Sequence, residues 1–295
     1  MSKLAAMAST PLIDAAELAR LLARSRGAMP PLRLLDARPG GDGLRAYRDG
    51  HLPGALHVDL DSKLAAIGDP ASGGRHPLPD PADFAGTVAR LGITPEHLVV
   101  AYDASAGANA AARLWWMLRA LGHRRASVLD GGFAAAIGVG IDPARTPPPA
   151  PRPAAPIAAP AWQWPIAGAD QVAAAARDPD ALVLDVRSRE RYRGEVEPFD
   201  PVAGHIPGAE NVPFSENLRT DGRFHSPETL RTLYRDRFGP RLERSIVHCG
   251  SGVTACHTLL AMEAAGLPRP ALYVGSWSEW CRSPRPQAQG GEPGG

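Results

Sequence analysis

The chain has 295 residues, a length that favours two domains of ordinary size over one large hydrophobic core. Hydrophobic residues make up 44% of it, which is enough for packed interiors and excludes global disorder. The 32 lysines and arginines balance 31 aspartates and glutamates, so the basic excess that is typical of nucleic-acid-binding proteins is missing.

The first 25 residues contain early acidic residues and no proper apolar stretch. They are interpreted as the start of a helix, capped near Thr10 or Asp14, and not as a signal peptide. No run of about 18 apolar residues occurs in the chain, so we expect no membrane-spanning segment. The three cysteines form an odd, sparse set that builds no disulfide framework and predicts a cytoplasmic protein.

Five segments of the first half recur in the same order in the second half. LLDAR at 34–38 matches VLDVR at 183–187, and GHLPGA at 50–55 matches GHIPGA at 204–209. Ordered self-similarity of this kind indicates two copies of one fold. The remaining matches pair 80–92 with 226–239, 98–103 with 245–250, and 128–133 with 272–277.

The repeats predict an N-terminal domain over residues 8–142 and a C-terminal domain over residues 161–283. The intervening residues 143–160 are rich in proline, which suits neither helices nor sheet ladders. We expect them to form a semi-extended linker along the surface. The composition of residues 284–295 predicts a disordered tail.

Within each copy, short apolar runs alternate with helical patterns, as in parallel sheets with crossover helices. We therefore expect an α/β fold with two tandem domains, each a mostly parallel five-stranded sheet with helices on both faces. Candidate strands of the second copy are 181–185, 244–248 and 271–274. A helix is predicted from about Thr254 to Ala265, ending at a glycine that suits the left-handed position after a helix.

Cys249 stands where a predicted strand ends and a predicted helix begins, which is where open α/β sheets place their active sites. Gly250 and Gly252 permit tight backbone angles, so several N–H groups can face one point near the helix start. This setting favours the thiolate, the nucleophilic form of cysteine. Cys256 and Cys281 lack such a setting and are interpreted as buried structural thiols.

Two other kinds of cysteine site fit this loop less well. A zinc site would need a tight Cys-x-x-Cys or His-x-x-x-His spacing, and adjacent His248 and Cys249 would point to opposite faces of a strand. A phosphatase loop needs an arginine six residues after the cysteine to bind phosphate, and Ala255 stands there. We therefore expect no metal, no cofactor and no phosphate-ester hydrolysis.

These motifs resemble the rhodanese superfamily, in particular its tandem-domain sulfurtransferases. The segment 47–55 is similar to the N-terminal signature of that family. The segment GSWSEW at 275–280 is similar to most of the C-terminal signature. The loop CGSGVTA looks like that of 3-mercaptopyruvate sulfurtransferases, whereas thiosulfate-specific members usually carry basic residues after the cysteine. The resemblance implies a catalytic C-terminal domain and a non-catalytic N-terminal domain, in which Asp103 stands in place of Cys249.

The resemblance also implies roles for residues outside the loop. Ser251, His76 and Asp61 correspond to a relay that moves a proton to or from an enolate leaving group. Arg191 corresponds to the arginine that holds the substrate carboxylate. A second substrate arginine of mercaptopyruvate enzymes would fall near Asp200, where this chain has a carboxylate instead. The substrate-binding loop positions are Gly250, Gly252, Val253 and Thr254.

We expect a sulfurtransferase that moves sulfane sulfur from 3-mercaptopyruvate or thiosulfate, through a Cys249 persulfide, to cyanide, a thiol or thioredoxin. One alternative is a thiosulfate:cyanide sulfurtransferase. Another is a non-catalytic sulfur-relay or protein-binding module, against which the intact loop argues. Neither nucleic acid nor a membrane is expected as a partner. Asp185, Arg187 and the GHIPGA turn are interpreted as structural.

Overall fold

The computed structural model describes residues 10–24, 31–108, 110–158 and 161–293. They form two compact units. The segment Ile67–Leu78 belongs to the second unit, although its position in the chain suggests the first. The first unit is drawn from Met1–Ala66, Pro79–Trp164 and Asp221–Arg223, and the second from Ile67–Leu78, Pro165–Thr220 and Phe224–Gly295.

A five-stranded sheet forms the centre of the first unit. Its strands are β1 (Leu12–Ile13), β2 (Leu32–Asp36), β3 (Leu56–His57), β4 (Leu98–Tyr102) and β5 (Ala126–Leu129). Their order is β1-β5-β4-β2-β3, and every neighbouring pair is parallel. All five residues of β4 are buried, as expected for a central parallel strand covered on both faces.

The helices of the first unit alternate with these strands. Its described helices are α1 (Ala15–Arg24), α2 (Gly40–Asp49), α3 (Leu60–Lys63), α4 (Pro81–Arg90), α5 (Ala111–Ala120) and α6 (Gly132–Gly138). Asp14 caps α1 by accepting a hydrogen bond from the N–H of Glu17 at 2.7 Å, one of the two caps predicted there.

The second unit repeats the architecture. Its strands are β6 (Ile166–Ala167), β7 (Leu182–Asp185), β8 (Glu210–Asn211), β9 (Ser245–His248) and β10 (Ala271–Tyr273). They are also parallel, in the order β6-β10-β9-β7-β8. The two sheets therefore have the same spatial order when the strands of each unit are numbered along the chain: first, fifth, fourth, second, third. This confirms two copies of one fold with wholly parallel sheets.

The helices of the second unit begin and end close to the predicted residues. The predicted helix after Cys249 is Ala255–Ala264, and Gly266 follows it with a φ of +65°. The described helices are α7 (Ala169–Ala175), α8 (Arg189–Arg193), α9 (Pro227–Phe238), α10 (Ala255–Ala264) and α11 (Ser276–Trp280), with 3-10 turns at Phe214–Asn217 and Gly239–Arg244. Among the described residues, no helix is long and apolar enough to cross a bilayer.

The registers of the two sheets identify equivalent positions. In the first unit Asp36, the last residue of β2, pairs with Tyr102, the last residue of β4. In the second unit Asp185, the last residue of β7, pairs with His248, the last residue of β9. The residues that follow these strands, Asp103 and Cys249, are therefore structural equivalents.

A buried Asp–Arg pair closes the second strand of each unit. Nη2 of Arg38 lies 2.6 Å from Oδ2 of Asp36, and the same atoms of Arg187 and Asp185 are also 2.6 Å apart. Each arginine also donates to the carbonyl of the glycine before the signature histidine, at 2.7 Å. Burial opposes the charged forms, but the pairing outweighs it: the pKa of Asp185 lies below its ordinary value and that of Arg187 above.

A tyrosine and a histidine of the signature stack in each unit, with ring centroids 4.1 Å apart for Tyr47 and His51 and 3.8 Å for Tyr192 and His205. Nδ1 of each histidine also donates a hydrogen bond to the backbone carbonyl of the stacked tyrosine, at 2.8 Å. The GHIPGA turn therefore has the structural role that was predicted for it, and the GHLPGA turn makes the same contacts in the first unit.

The prediction of disorder after residue 283 is wrong for residues 284–293. Ala288 exchanges both backbone hydrogen bonds with His205, and Trp280 donates its indole N–H to the carbonyl of Pro286 at 2.9 Å. In the first unit, Ala144 of the proline-rich segment pairs with His51 in the same way. The tail is therefore the counterpart of the segment after the first copy, and these backbone bonds hold both in place despite their composition.

Arg187→Met is expected to lower the free energy of unfolding by about 3–5 kcal/mol, because it leaves Asp185 buried without its guanidinium partner and removes one of the two arginines that pair with Glu197. Arg189→Met is the matched control, since Arg189 is half exposed and pairs with Glu216 at the surface, so its loss should cost less than about 1 kcal/mol. Denaturant unfolding measures both, and equal losses would contradict the structural role of Arg187.

Candidate active site

The residue after β9, Cys249, is 3% exposed and is fixed through its backbone. Its N–H donates to Oγ of Ser276 at 3.2 Å, and its carbonyl accepts from the N–H of Trp277 at 3.1 Å. The carbonyl of Gly250 accepts from the N–H of Ser278 at 2.9 Å. The GSWSEW segment therefore holds the base of the cysteine loop.

This close packing requires unusual backbone conformations. Ser276 has a φ of +54°, a left-handed angle that is uncommon outside glycine, and its hydroxyl donates to the carbonyl of Tyr273 at 2.9 Å. Gly252 has a φ of +74°, and a Cβ there would lie 2.5 Å from the carbonyl oxygen of Val274. Only glycine fits at position 252, so the path of the loop is tightly fixed.

The cysteine loop leaves backbone donors uncommitted. Within the described part of the chain, the N–H groups of Gly250, Ser251, Val253 and Thr254 donate no hydrogen bond. They lie between the sulfur-bearing residue and the N-terminus of α10, where backbone dipoles favour negative charge. The loop can therefore accommodate an anion at low cost.

The equivalent loop of the first unit already holds a negative charge. Asp103 is fully buried, and its carboxylate accepts hydrogen bonds from the N–H groups of Ser105 at 2.8 Å, Gly107 at 2.9 Å and Ala111 at 3.2 Å. Asp103 thus caps its own loop, and its side chain has no thiol that could accept sulfur.

Two members of the predicted relay are in contact. Nδ1 of His76 lies 2.9 Å from Oγ of Ser251, and both residues belong to the second unit. Ser251 is buried, whereas His76 is partly exposed. Asp61, the predicted third member, is an exposed residue of α3 in the first unit, and its connection to His76 stays a prediction.

The segment that carries His76 is anchored on the same GSWSEW segment. The N–H of Gly73 donates to Oε1 of Glu279 at 3.0 Å, and the N–H of Arg75 donates to Oγ of Ser278 at 3.0 Å. One short turn and helix therefore position both the cysteine loop and the histidine segment.

Arg191, predicted to hold the substrate, lies beside the cysteine loop. A Cβ at Gly250 would be 3.1 Å from its Nη2 and 3.2 Å from its Nη1. Glu197 accepts hydrogen bonds from Nη2 of Arg191 at 2.7 and 3.0 Å and also pairs with Arg187 at 3.2 Å. A chain of ion pairs thus links the buried Asp185–Arg187 pair to Arg191.

Arg75 is a residue of this site that no sequence motif indicated. Its guanidinium pairs with Asp200, whose side chain is fully buried and also accepts from Nη1 of Arg282 at 2.7 Å. The one indication in the sequence was the aspartate at position 200, because a carboxylate that becomes buried requires a cationic partner. The sequence alone did not say which of the many arginines would provide it.

The other two cysteines have structural surroundings. Cys256 lies in α10 and donates its Sγ–H to the carbonyl of Gly252 at 3.4 Å. Burial, and secondarily the Asp200 carboxylate, raises the pKa of the Cys281 thiol, which keeps it protonated and poorly nucleophilic. In the described ranges, no group of three or more histidine, cysteine, aspartate or glutamate side chains is arranged to hold a metal ion.

The fold and its two equivalent loops define a tandem α/β protein in which one loop carries a cysteine and the other an aspartate. The model of the rhodanese-like domain matches residues 14–137 and 168–283, so the chain belongs to the rhodanese-like family, with two copies of its domain.

The relatives specify the activity. A "Probable 3-mercaptopyruvate sulfurtransferase" of Pseudomonas aeruginosa is 42% identical over 287 residues, which cover 95% of this chain and 98% of the relative. A "Thiosulfate sulfurtransferase" of Rattus norvegicus is 37% identical over 274 residues, 90% of each chain. The crystal structure of SseA from Escherichia coli, a 3-mercaptopyruvate sulfurtransferase, superposes with a TM-score of 0.74 at 29% identity, covering 91% of this chain and 99% of that one. The protein is a sulfurtransferase, as predicted.

Asp103→Ala should lower the free energy of unfolding by about 1.5–3 kcal/mol, because three N–H groups of its loop lose a charged acceptor. Cys249→Ala, at the equivalent position, should cost only about 1 kcal/mol, the loss of one small buried group. Denaturant titrations of the two variants compare them directly. A greater loss for Cys249→Ala would show that the thiol is the structural member of the pair.

Proposed function

We propose that the protein carries sulfur as a persulfide on Cys249, taking it from 3-mercaptopyruvate or thiosulfate and passing it to a thiol, thioredoxin or cyanide. The observation that carries the proposal is the equivalence of Cys249 and Asp103. One loop uses its N–H groups to hold a carboxylate, and the other leaves four such groups uncommitted near a cysteine. A thiolate or persulfide anion on Cys249 would receive the stabilisation that Asp103 receives.

The transfer has two half-reactions. The Cys249 thiolate attacks the sulfur of mercaptopyruvate, an S–S bond forms, and the C–S bond breaks to release the enolate of pyruvate, which takes up a proton. The acceptor then attacks the outer sulfur, the S–S bond breaks, and the Cys249 thiolate is restored. Dividing the transfer in this way is covalent catalysis, and its electrons balance without a redox partner.

Ser251 and His76 are suited to the proton step. Their 2.9 Å contact forms a hydroxyl–imidazole pair, and imidazole exchanges protons near neutral pH. The enolate of pyruvate needs a proton at carbon, whereas sulfite leaving from thiosulfate does not. By resemblance, Asp61 would orient the imidazole.

The donor would bind through Arg191 and the loop. A planar guanidinium can hold a carboxylate through two parallel hydrogen bonds, and Nη1 of Arg191 is not used by Glu197. The N–H groups of Gly250, Val253 and Thr254 and the close turn at Gly252 would surround the transferred sulfur. We infer that mercaptopyruvate is the preferred donor, because the Ser251–His76 pair serves only a donor that leaves an enolate.

We place this activity in the cytoplasm. All three cysteines are free thiols, and Cys249 must return to the thiolate after each cycle. A reducing compartment maintains that state and supplies thiol acceptors.

Intact-mass spectrometry after donor treatment should show one added sulfur atom on the wild-type protein and none on Cys249→Ser, because Asp103 provides no second thiol. Cys256→Ala and Cys281→Ala are the controls and should both retain the added sulfur, since neither thiol lies in the anion-stabilising loop. Sulfur bound to the Cys249→Ser variant would exclude Cys249 as the carrier.

His76→Asn should lower kcat for mercaptopyruvate by roughly 10²- to 10⁴-fold, the usual contribution of a positioned acid–base group, and should change thiosulfate turnover much less. His225→Asn, which alters another partly buried loop histidine of the second unit, should leave both rates unchanged. Thiocyanate formation with each donor provides the measurement. Equal losses with both donors would assign His76 a structural role.

A further inference from the structure

The carboxylate of Asp200 orients an arginine towards the cysteine loop. Oδ2 of Asp200 pairs with Nη1 of Arg75, and its other oxygen accepts from Arg282 at 2.7 Å. The Arg75 side chain is 22% exposed, so it is held firmly on one side and open to small solutes on the other. Its backbone is fixed as well, through Ser278.

Two guanidinium groups meet beside the residue that follows Cys249. A Cβ on Gly250 would lie 3.2 Å from Nη2 of Arg75 and 3.2 Å from Nη1 of Arg191. Both groups also lie over the ring of Phe199, at 5.4 and 5.2 Å from its centroid. The two cations therefore crowd position 250 and lie within reach of an anion next to the sulfur.

Each of these arginines keeps one terminal nitrogen uncommitted. Arg75 uses Nη1 for Asp200, and Arg191 uses Nη2 and Nε for Glu197. Across the described ranges, Nη2 of Arg75 and Nη1 of Arg191 donate no hydrogen bond, and these two atoms are among those nearest to Gly250. They are suited to bind two oxygens of one anionic group.

The surrounding charges favour an anion. The cluster, whose two halves are joined by the 3.9 Å contact between Arg191 and Asp200, contains four arginines and three carboxylates, so it has one positive charge in excess. The arginines are Arg75, Arg187, Arg191 and Arg282, and the carboxylates are Asp185, Glu197 and Asp200. The lack of positive charge in the loop sequence is therefore made up by side chains from outside the loop.

We propose that Arg75 is the second donor-binding arginine, which forms with Arg191 a clamp for the carboxylate or sulfonate-type group of the sulfur donor. Asp200 is the positioning residue that aims Arg75. The proposal rests on the proposed persulfide function and adds to it the residue that recognises the anion. It also predicts that thiosulfate binds, since its oxyanion finds the counter-charge that the loop sequence lacks.

The test is steady-state kinetics of Arg75→Gln with mercaptopyruvate and with thiosulfate. We expect kcat/KM to fall roughly ten- to a hundred-fold for both donors, chiefly through KM, because the lost contact is to the shared anionic group. Arg75→Lys should recover part of the loss. Arg244→Gln is the matched control: it removes an arginine that pairs with an aspartate, Asp178, at the exposed surface of the second unit and outside this cluster, and should leave KM unchanged.

A second measurement separates binding from damage to the fold. Pyruvate carries the same carboxylate without the sulfur, and its inhibition constant should rise in Arg75→Gln by a factor similar to KM. Thermal unfolding of each variant reports folding. An Arg75→Gln variant that folds, and whose KM and pyruvate inhibition equal those of wild type, would overturn the proposal. If the wild-type protein itself took up no sulfur on Cys249, the persulfide function would fail instead.

Discussion

The buried ion pair between Asp185 and Arg187 is the interaction on which the second unit depends. Two charges removed from water are tolerable only when they satisfy one another, so the pair fixes the end of β7 and the signature turn at Gly204. Arg187 then reaches Glu197, which holds Arg191 beside the cysteine loop. The ion pair that stabilises the fold is thus the first of a series of ion pairs that ends at Arg191, beside the cysteine loop.

The GSWSEW segment gives the site its second fixed point. Its backbone N–H groups hold the carbonyls of Cys249 and Gly250, and its serine and glutamate side chains accept hydrogen bonds from the segment that carries His76. The left-handed Ser276 shows that this arrangement tolerates local strain. Because one short element contacts both, the cysteine loop and the Ser251–His76 pair are positioned relative to each other within a single unit.

The two units show how one loop geometry serves two purposes. In the first, three N–H groups are satisfied internally by Asp103, which stabilises the loop and leaves it chemically inert. In the second, the equivalent residue is Cys249, and the donors of its loop remain available. Backbone donors that make no internal hydrogen bond are free to stabilise an anion that binds or forms at the loop.

The sequence by itself determined the repeat, the parallel sheets, the place of Cys249 between β9 and α10, the cap of α1 and the glycine that follows α10. These features depend on local spacing and on backbone angles that single residues prefer. Only the tertiary structure decided that Arg75 pairs with Asp200, which lies 125 residues away, and that the tail pairs with His205. Composition cannot reveal such contacts, because many arginines could neutralise one carboxylate and a proline-rich segment is ordered only when a partner strand offers it hydrogen bonds.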